Sequence, residues 1–177
     1  MERRPQTYDD VVGLRVYRNY LPDPIPAEDV EAILEAGRWT GSSKNTQKWR
    51  FVVIDDQAGL EELASAGTFT RPVTNAVLAI ALVWPPDGYE FDIGRVAQNM
   101  MLAAAALGIA SCPVTLHDED RAREVLGVPE GDRCRYAIAL GYPDERSETA
   151  ERRERRKSGW GGRKPLDELV DRRRPGG

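Results

Sequence analysis

The run Val77–Trp84, VLAIALVW, contains no polar residue, shows no alternation, and is ended by Pro85-Pro86. An unbroken apolar run of strand length predicts a central strand buried on both faces, because a half-exposed strand alternates apolar with polar. The chain must therefore supply two covering layers. One follows at once: Asp92 to about Leu107 predicts a long helix, capped by Asp92 and stopped at Gly108. Ile93, Val96, Ala97, Met100, Ala104 and Leu107 fall on one face of it; Met101, Leu102 and Ala105 fall on another. A surface helix shows a single apolar stripe, so this one needs covering on two sides. The sheet supplies one cover. A partner subunit is the natural second, with full burial inside one chain as the alternative.

The remaining chain alternates helices and strands. A short helix is expected around Tyr8–Gly13. Glu28–Ala36 carries Val30, Ile33 and Leu34 at helical spacing behind Pro26, with Gly37 as its end. Trp49–Ile54 reads as a buried strand, Ala58–Ala66 as a helix, and Thr68–Asn75 as polar connection. Ile109–Thr115 and Arg135–Leu140 read as strands around a helix at Asp118–Leu126. Asp144–Lys157 is dense in opposite charges and predicts a solvated helix or mobile extension. Gly159-Trp160-Gly161-Gly162 reads as a flexible joint before Arg163–Val170 and a basic tail. At 177 residues, without internal repeats, this is one domain spanning 1–177, with 144–162 a charged connection and 163–177 a C-terminal arm. Such alternation suits an α+β or α/β layered fold.

Composition excludes several classes. A net charge of −4 argues against a dedicated nucleic-acid binder. No apolar run reaches membrane-spanning length, and MERRPQTYDD lacks the apolar core of a signal peptide, so a cytoplasmic protein is expected. Cys112 and Cys134 sit in apolar surroundings and read as reduced core residues. His117, the single histidine, has no Cys, Asp or Glu at metal-ligand spacing, so neither a metal site nor a histidine-based triad is expected. Phosphate-cradling glycine loops of the GxxxxGK[ST] and GxGxxG kinds are absent from the sequence. Chemistry carried by a bound cofactor fits that pattern.

One loop stands out. Between the second predicted helix and the first strand, Thr40–Lys48 contains Ser42, Ser43, Lys44, Asn45, Thr46 and Gln47. Hydroxyls and amides in such succession suit a planar polar ligand. Ser-Ser-Lys-Asn-Thr-Gln-Lys-Trp-Arg-Phe resembles the flavin-contacting loop of the nitroreductase family, with Gly41 and Lys48 standing where the family most often has proline. Four further stretches agree in order: Arg15–Tyr20 with Pro24-Ile25-Pro26, Ala97–Ala104, Ala139–Pro143, and Gly162–Leu166.

The resemblance implies the α+β nitroreductase sandwich, a central, mostly antiparallel sheet flanked by helices, with the C-terminal segment exchanged between subunits of a homodimer. It implies FMN as cofactor, NADH or NADPH as reductant, and a nitroaromatic, quinone or similar small acceptor served alternately at one flavin site. Arg15 and Arg163 would grip the phosphate, and Arg18 would lie near the pyrimidine. Ser42, Ser43, Asn45 and Gln47 would serve ribityl and ring; Pro113, Val114, Thr115 and Leu116 would lay backbone against the ring. No side chain is expected to attack the substrate. The chain departs from the family pattern at Leu14 and Val16, beside Arg15, where a second phosphate ligand is common. It departs again at Thr115-Leu116, where some members carry Glu-Gly. A flavin-binding protein without turnover, specialised flavin chemistry such as dehalogenation or oxidation, and a deazaflavin cofactor remain open at this stage.

Overall fold

A computed structural model describes residues 4–159 and 162–173. Its centre is a four-stranded sheet in the order β1-β2-β4-β3, formed by β1 (Arg50–Ile54), β2 (Leu78–Trp84), β3 (Ala110–Thr115) and β4 (Arg133–Gly141). Every neighbouring pair is antiparallel. Every residue of β2 is buried, as its sequence requires. The two faces of the strand differ in size. Ala79, Ala81 and Val83 point to one core, where Ala137 and Ala139 of β4 join them. Leu78, Ile80, Leu82 and Trp84 point to the other, with Ile138 and Leu140.

The small-residue face is covered by α3 (Gln57–Ala64), α4 (Arg71–Thr74) and α6 (Glu119–Leu126). The large-residue face is covered by α2 (Ala27–Arg38) and α5 (Glu90–Ala106), which pack on each other. A helix α1 (Pro5–Gly13) rests against α5, and α7 (Glu145–Lys157) follows β4. No helix among the described residues is long and apolar enough to cross a membrane.

Several expectations change. Gly37 lies inside α2 rather than at its end: a Cβ there would approach Met100 and Phe51 to 3.0 Å, so the glycine lets α2 close on α5 and β1. Strand β1 is an edge strand, with Arg50 exposed, Val53 39% exposed and only Ile54 buried. The polar connection at Thr68–Asn75 contains α4. The long helix begins at Glu90, one turn's worth of acid (Glu90 and Asp92) lying within its start, where the helix dipole favours it. Met101 is 4% exposed and belongs to the inner face with Ile93, Val96, Met100 and Ala104. The uncovered strip of α5 is instead Phe91, Gly94, Gln98 and Ala105, flanked by half-buried Leu102.

The charged segment is neither loose nor wholly solvated. Its helix α7 is capped by Asp144, whose side chain accepts from the Ser147 amide, and its Glu148 is fully buried. Beyond it, Trp160 and Gly161 of the predicted joint lie outside the described residues. Residues 162–173 are exposed throughout, Leu166, Leu169 and Val170 included. Among the described residues, the hydrogen bonds of this arm are all internal.

Candidate functional site

The Arg15–Tyr20 segment runs along the free edge of β3. Val16 bridges Ser111 in parallel, the Tyr17 amide donates to the Ser111 carbonyl (3.1 Å), and Tyr20 bridges Pro143. Arg15 is exposed, its Nη1 donating to the carbonyls of Val12 (2.9 Å) and Leu14 (2.8 Å). Among the described residues no carboxylate lies within ion-pair distance of it. It lines a cleft of about 710 Å³ between α1, the C-terminal end of α5 and the start of β3, with Tyr17, Leu102, Ala105, Ala106 and Ser111. Asp9 and Asp10 stand on the α1 wall. The hydroxyl of Ser111 is the one buried side-chain polar atom without a partner among the described residues.

Arg18 does not line that cleft. It is half-buried and close enough to Cys112 and Tyr20 for its charge to act on both, although burial dominates and pushes both groups up. Burial raises Cys112 and Cys134 alike to about 11, so both are neutral thiols at physiological pH. No cluster of His, Cys, Asp and Glu suited to a metal ion occurs among the described residues.

The polar loop sits elsewhere, against the N-terminal half of α5. Arg95 Nη1 donates to the Gly41 carbonyl (2.6 Å), and Asn99 Nδ2 donates to the buried Thr40 hydroxyl (2.8 Å). Ser42 Oγ accepts the Gln47 amide (2.9 Å) and closes the loop on itself. Lys44, Asn45 and Gln47 all adopt left-handed backbone, with φ of 52°, 55° and 48°. Outside glycine such conformations cost about 1–2 kcal/mol each, and they gather where a loop must present its groups in a set geometry. Ser43, Asn45 and Gln47 are exposed and available.

At the end of β3, Pro113 is exposed on an edge strand, where a missing N–H is tolerated, and Thr115 is half-buried. Val114 and Leu116 are core side chains, and the Leu116 amide is taken by the Arg135 carbonyl (2.8 Å). The strand end therefore presents backbone, Pro113 and the half-buried Thr115. Phe69, 80% exposed, meets His117 edge-on at 6.3 Å beside this strand end. Arg163 is exposed in the arm and bonds only the Gly162 carbonyl (3.4 Å).

One chain therefore does not bring these groups together. Loop and Arg15 both hang on α5, but at opposite ends. Arg95 holds the first and Ala105 walls the second, a separation of about 15 Å at 1.5 Å per residue. Sequence reasoning missed Arg95 and Asn99 as the loop's anchors, and Glu148 on α7. Glu148, Arg152 and Arg155 share one face by helical spacing, and that was the readable signal.

An antiparallel sheet sandwiched between helices, with an arginine lacking a carboxylate partner among the described residues toward one end of a long helix and an amide-rich loop toward the other, defines a layered α+β protein. The family model described as Nitroreductase family matches residues 14–79 and 85–142, and the chain belongs to that family. It is 32% identical over 142 residues to an Archaeoglobus fulgidus protein provisionally named NADH dehydrogenase/NAD(P)H nitroreductase, covering 74% of this chain and 82% of the relative. Among solved structures, a provisional nitroreductase from Desulfovibrio desulfuricans in complex with FMN superposes with a TM-score of 0.77 at 27% identity, covering 98% of this chain and 100% of that one. A Bacteroides fragilis nitroreductase with bound FMN gives a TM-score of 0.69 at 29% identity, covering 79% and 89%.

Proposed function

We propose that two copies of this chain form a homodimeric, cytoplasmic, FMN-dependent oxidoreductase that takes electrons from NADH or NADPH and passes them to a nitroaromatic, quinone or similar small acceptor. The observation that carries the reading is the split along α5. Two α5 helices packed antiparallel about a two-fold axis put the loop beside Arg95 of one chain next to Arg15 of the other. The uncovered strip of Phe91, Gly94, Gln98 and Ala105 gives them a surface on which to meet.

The donor set fits FMN. Arg15, without a carboxylate partner among the described residues, suits a phosphate, and Arg163, exposed on the C-terminal arm, would join it if the arm wraps the neighbouring chain. Ser42, Ser43, Asn45 and Gln47 offer hydroxyls and amides to ribityl and pyrimidine. Arg18 sets a cation on the pyrimidine side, where it favours the charge that reduction builds. The backbone of Pro113–Leu116 would lie against the ring. Bound FMN supplies the hydride-accepting and hydride-donating ring. The chain's own contribution is to bind, orient and neutralise, and donor and acceptor use the site in turn.

An absorbance spectrum of the purified protein, followed by anaerobic NADH and NADPH titration, tests this. Yellow protein that bleaches supports the enzyme; colourless protein that takes up no FMN overturns it, and yellow protein inert to both donors leaves a flavin-binding module. Arg15→Ala and Arg163→Ala should each weaken FMN binding by about 1.5–3 kcal/mol, the usual worth of an arginine–phosphate pair. Equilibrium titration of apoprotein checks this, and native affinity in the double variant would remove both residues from the site. Cys112→Ala, Cys134→Ala and His117→Ala should keep turnover within about tenfold, since a catalytic acid, base or nucleophile would contribute more. Loss of turnover in a folded, flavin-loaded variant would contradict this.

A further inference from the structure

The hub of the N-terminal segment is a carboxylate from the far end of the chain. Glu148 on α7 is 0% exposed. Its Oε2 accepts the backbone amide of Arg18 (2.9 Å) and the side-chain amide of Asn19 (3.4 Å), and its Oε1 accepts from Arg155 Nη2 (2.7 Å). Arg152 Nε stands 3.3 Å from the same oxygen. Arg152 in turn donates to the Val16 carbonyl (3.2 Å) and lies over the Tyr17 ring at 4.6 Å. The Tyr17 hydroxyl donates to Glu145 (2.9 Å), and the Asp144 amide to the Asn19 carbonyl (3.1 Å).

A buried carboxylate carries a large desolvation penalty unless its lone pairs are filled and its charge is matched. Here both conditions are met, and one filling group is a main-chain N–H of the ligand-facing segment. From Val16 to Asn19, every residue is held by α7, through backbone at Val16, Arg18 and Asn19 and through the side chain at Tyr17. A second attachment of α7 to the body lies one turn on: Arg71 on α4 forks onto Glu151 with two bonds of 2.8 Å, and Glu151 also takes a hydrogen bond from the Asn19 side chain.

We propose that Glu148 is a positioning residue for the flavin site: it fixes the backbone between Arg15 and Arg18, so that α7 is part of the cofactor-binding apparatus and not a linker to the C-terminal arm. The inference rests on the FMN reading above. Only that segment carries both Arg15, beside the cleft, and Arg18, and among the described residues neither guanidinium has a carboxylate within ion-pair distance. Their aim depends on the backbone, which Ser111 of β3 holds at Tyr17, Asn75 holds at the Arg18 carbonyl (3.0 Å), and Glu148 holds at the Arg18 amide as the one buried charge among its anchors.

The test compares Glu148→Gln and Glu148→Ala with Arg71→Ala, which loosens α7 at its other ion-paired attachment, leaves the Glu145, Glu148 and Arg152 bonds to residues 16–19 in place, and reaches that segment only through Glu151 and the Asn19 side chain. Apoprotein of each is titrated with FMN and with riboflavin, and the midpoint potential of the bound flavin is measured. FMN binding should weaken by about tenfold or more in both Glu148 variants, as expected when binding groups are misplaced by a fraction of an ångström. It should change less than threefold, a difference within surface-pair energies, in Arg71→Ala. The midpoint potential should fall in the Glu148 variants as Arg18 loses its place, and stay put in Arg71→Ala. Equal losses in Arg71→Ala, or native affinity and potential in folded Glu148 variants, overturn the proposal. Hydrogen exchange on the unmodified protein gives a reading that needs no variant: residues 16–20 and 145–155 should gain protection together when FMN is added, and protection of the first alone overturns it. Unmodified protein that binds no FMN defeats the flavin reading itself, a result distinct from either.

Discussion

Replacing Gly94 with glutamate is expected to give a folded monomer that has lost its flavin site. In the single chain a Cβ at Gly94 meets nothing within 4 Å, and the residue is exposed in the second turn of α5. The monomer should accept the side chain, and the helix should gain about 0.5–1 kcal/mol from losing an interior glycine. The dimer should not. Gly94 shares the outward strip of α5 with Phe91, Gln98 and Ala105, and a small residue at its centre lets two helices approach closely. A glutamate there would be buried without a partner, a penalty of about 3–5 kcal/mol, or more than a hundredfold in association. With the loop of one chain parted from Arg15 of the other, FMN affinity should fall together with dimerisation. Sedimentation, thermal melting and FMN titration on one preparation decide it. A Gly94→Glu protein that remains dimeric, or a monomer that retains FMN, contradicts the antiparallel α5 arrangement. Met101→Glu is no substitute. Met101 is 4% exposed inside the core, and charging it would unfold the chain whether or not a dimer exists.

The Met101 placement marks where sequence reasoning works and where it stops. Period-two and period-3.6 patterns are one-dimensional, so the uniform run of β2 and the presence and C-terminal end of α5 were legible without coordinates, while its start lay two residues before the expected Asp92. Which side of an all-apolar helix faces the sheet is not a periodic property. Here α2 packs on α5 with Gly37 against Met100, and Met101 lies in the same core. The candidate site divides in the same way. The amide-rich loop announced itself by composition. Its left-handed turns at Lys44, Asn45 and Gln47 did not, because no glycine marks them; they are imposed by Ser42 bonding the Gln47 amide and by Arg95 and Asn99 reaching across from α5. Likewise a segment reading ERSETAERRERRK looks solvated by charge density, yet one of its glutamates is the most deeply buried acid among the described residues. Charge density reports the average face of a helix, and Glu148 lies on the exceptional one.

The glycine of Gly141-Tyr142-Pro143 should prove indispensable for a reason that only packing reveals. Gly141 ends β4, and a Cβ built on it falls 2.7 Å from Tyr20 Cβ, 2.9 Å from Tyr20 Cγ and 3.0 Å from Tyr20 Cδ1. No rotamer change moves a Cβ, so Gly141→Ala must displace the backbone of Tyr20. That backbone is pinned on both sides. Leu21 donates its amide to the Tyr142 carbonyl (2.8 Å), and the Tyr20 hydroxyl donates to the Tyr17 carbonyl (2.7 Å). Overpacking of this kind costs about 1–3 kcal/mol, which in a domain of this length lowers the melting temperature by roughly 2–12 °C. The strain should also travel. Tyr20 holds Tyr17, which lines the Arg15 cleft, so Gly141→Ala should weaken FMN binding as well as stability. Gly13→Ala is the comparison for stability, since a Cβ there meets nothing within 4 Å and should leave the melting temperature near native. Calorimetry and FMN titration on the pair check the expectation. A Gly141→Ala protein that melts and binds like the unmodified chain would mean that Tyr20 and the segment behind it can move freely, and that the edge of β3 is not the rigid frame on which the site is built.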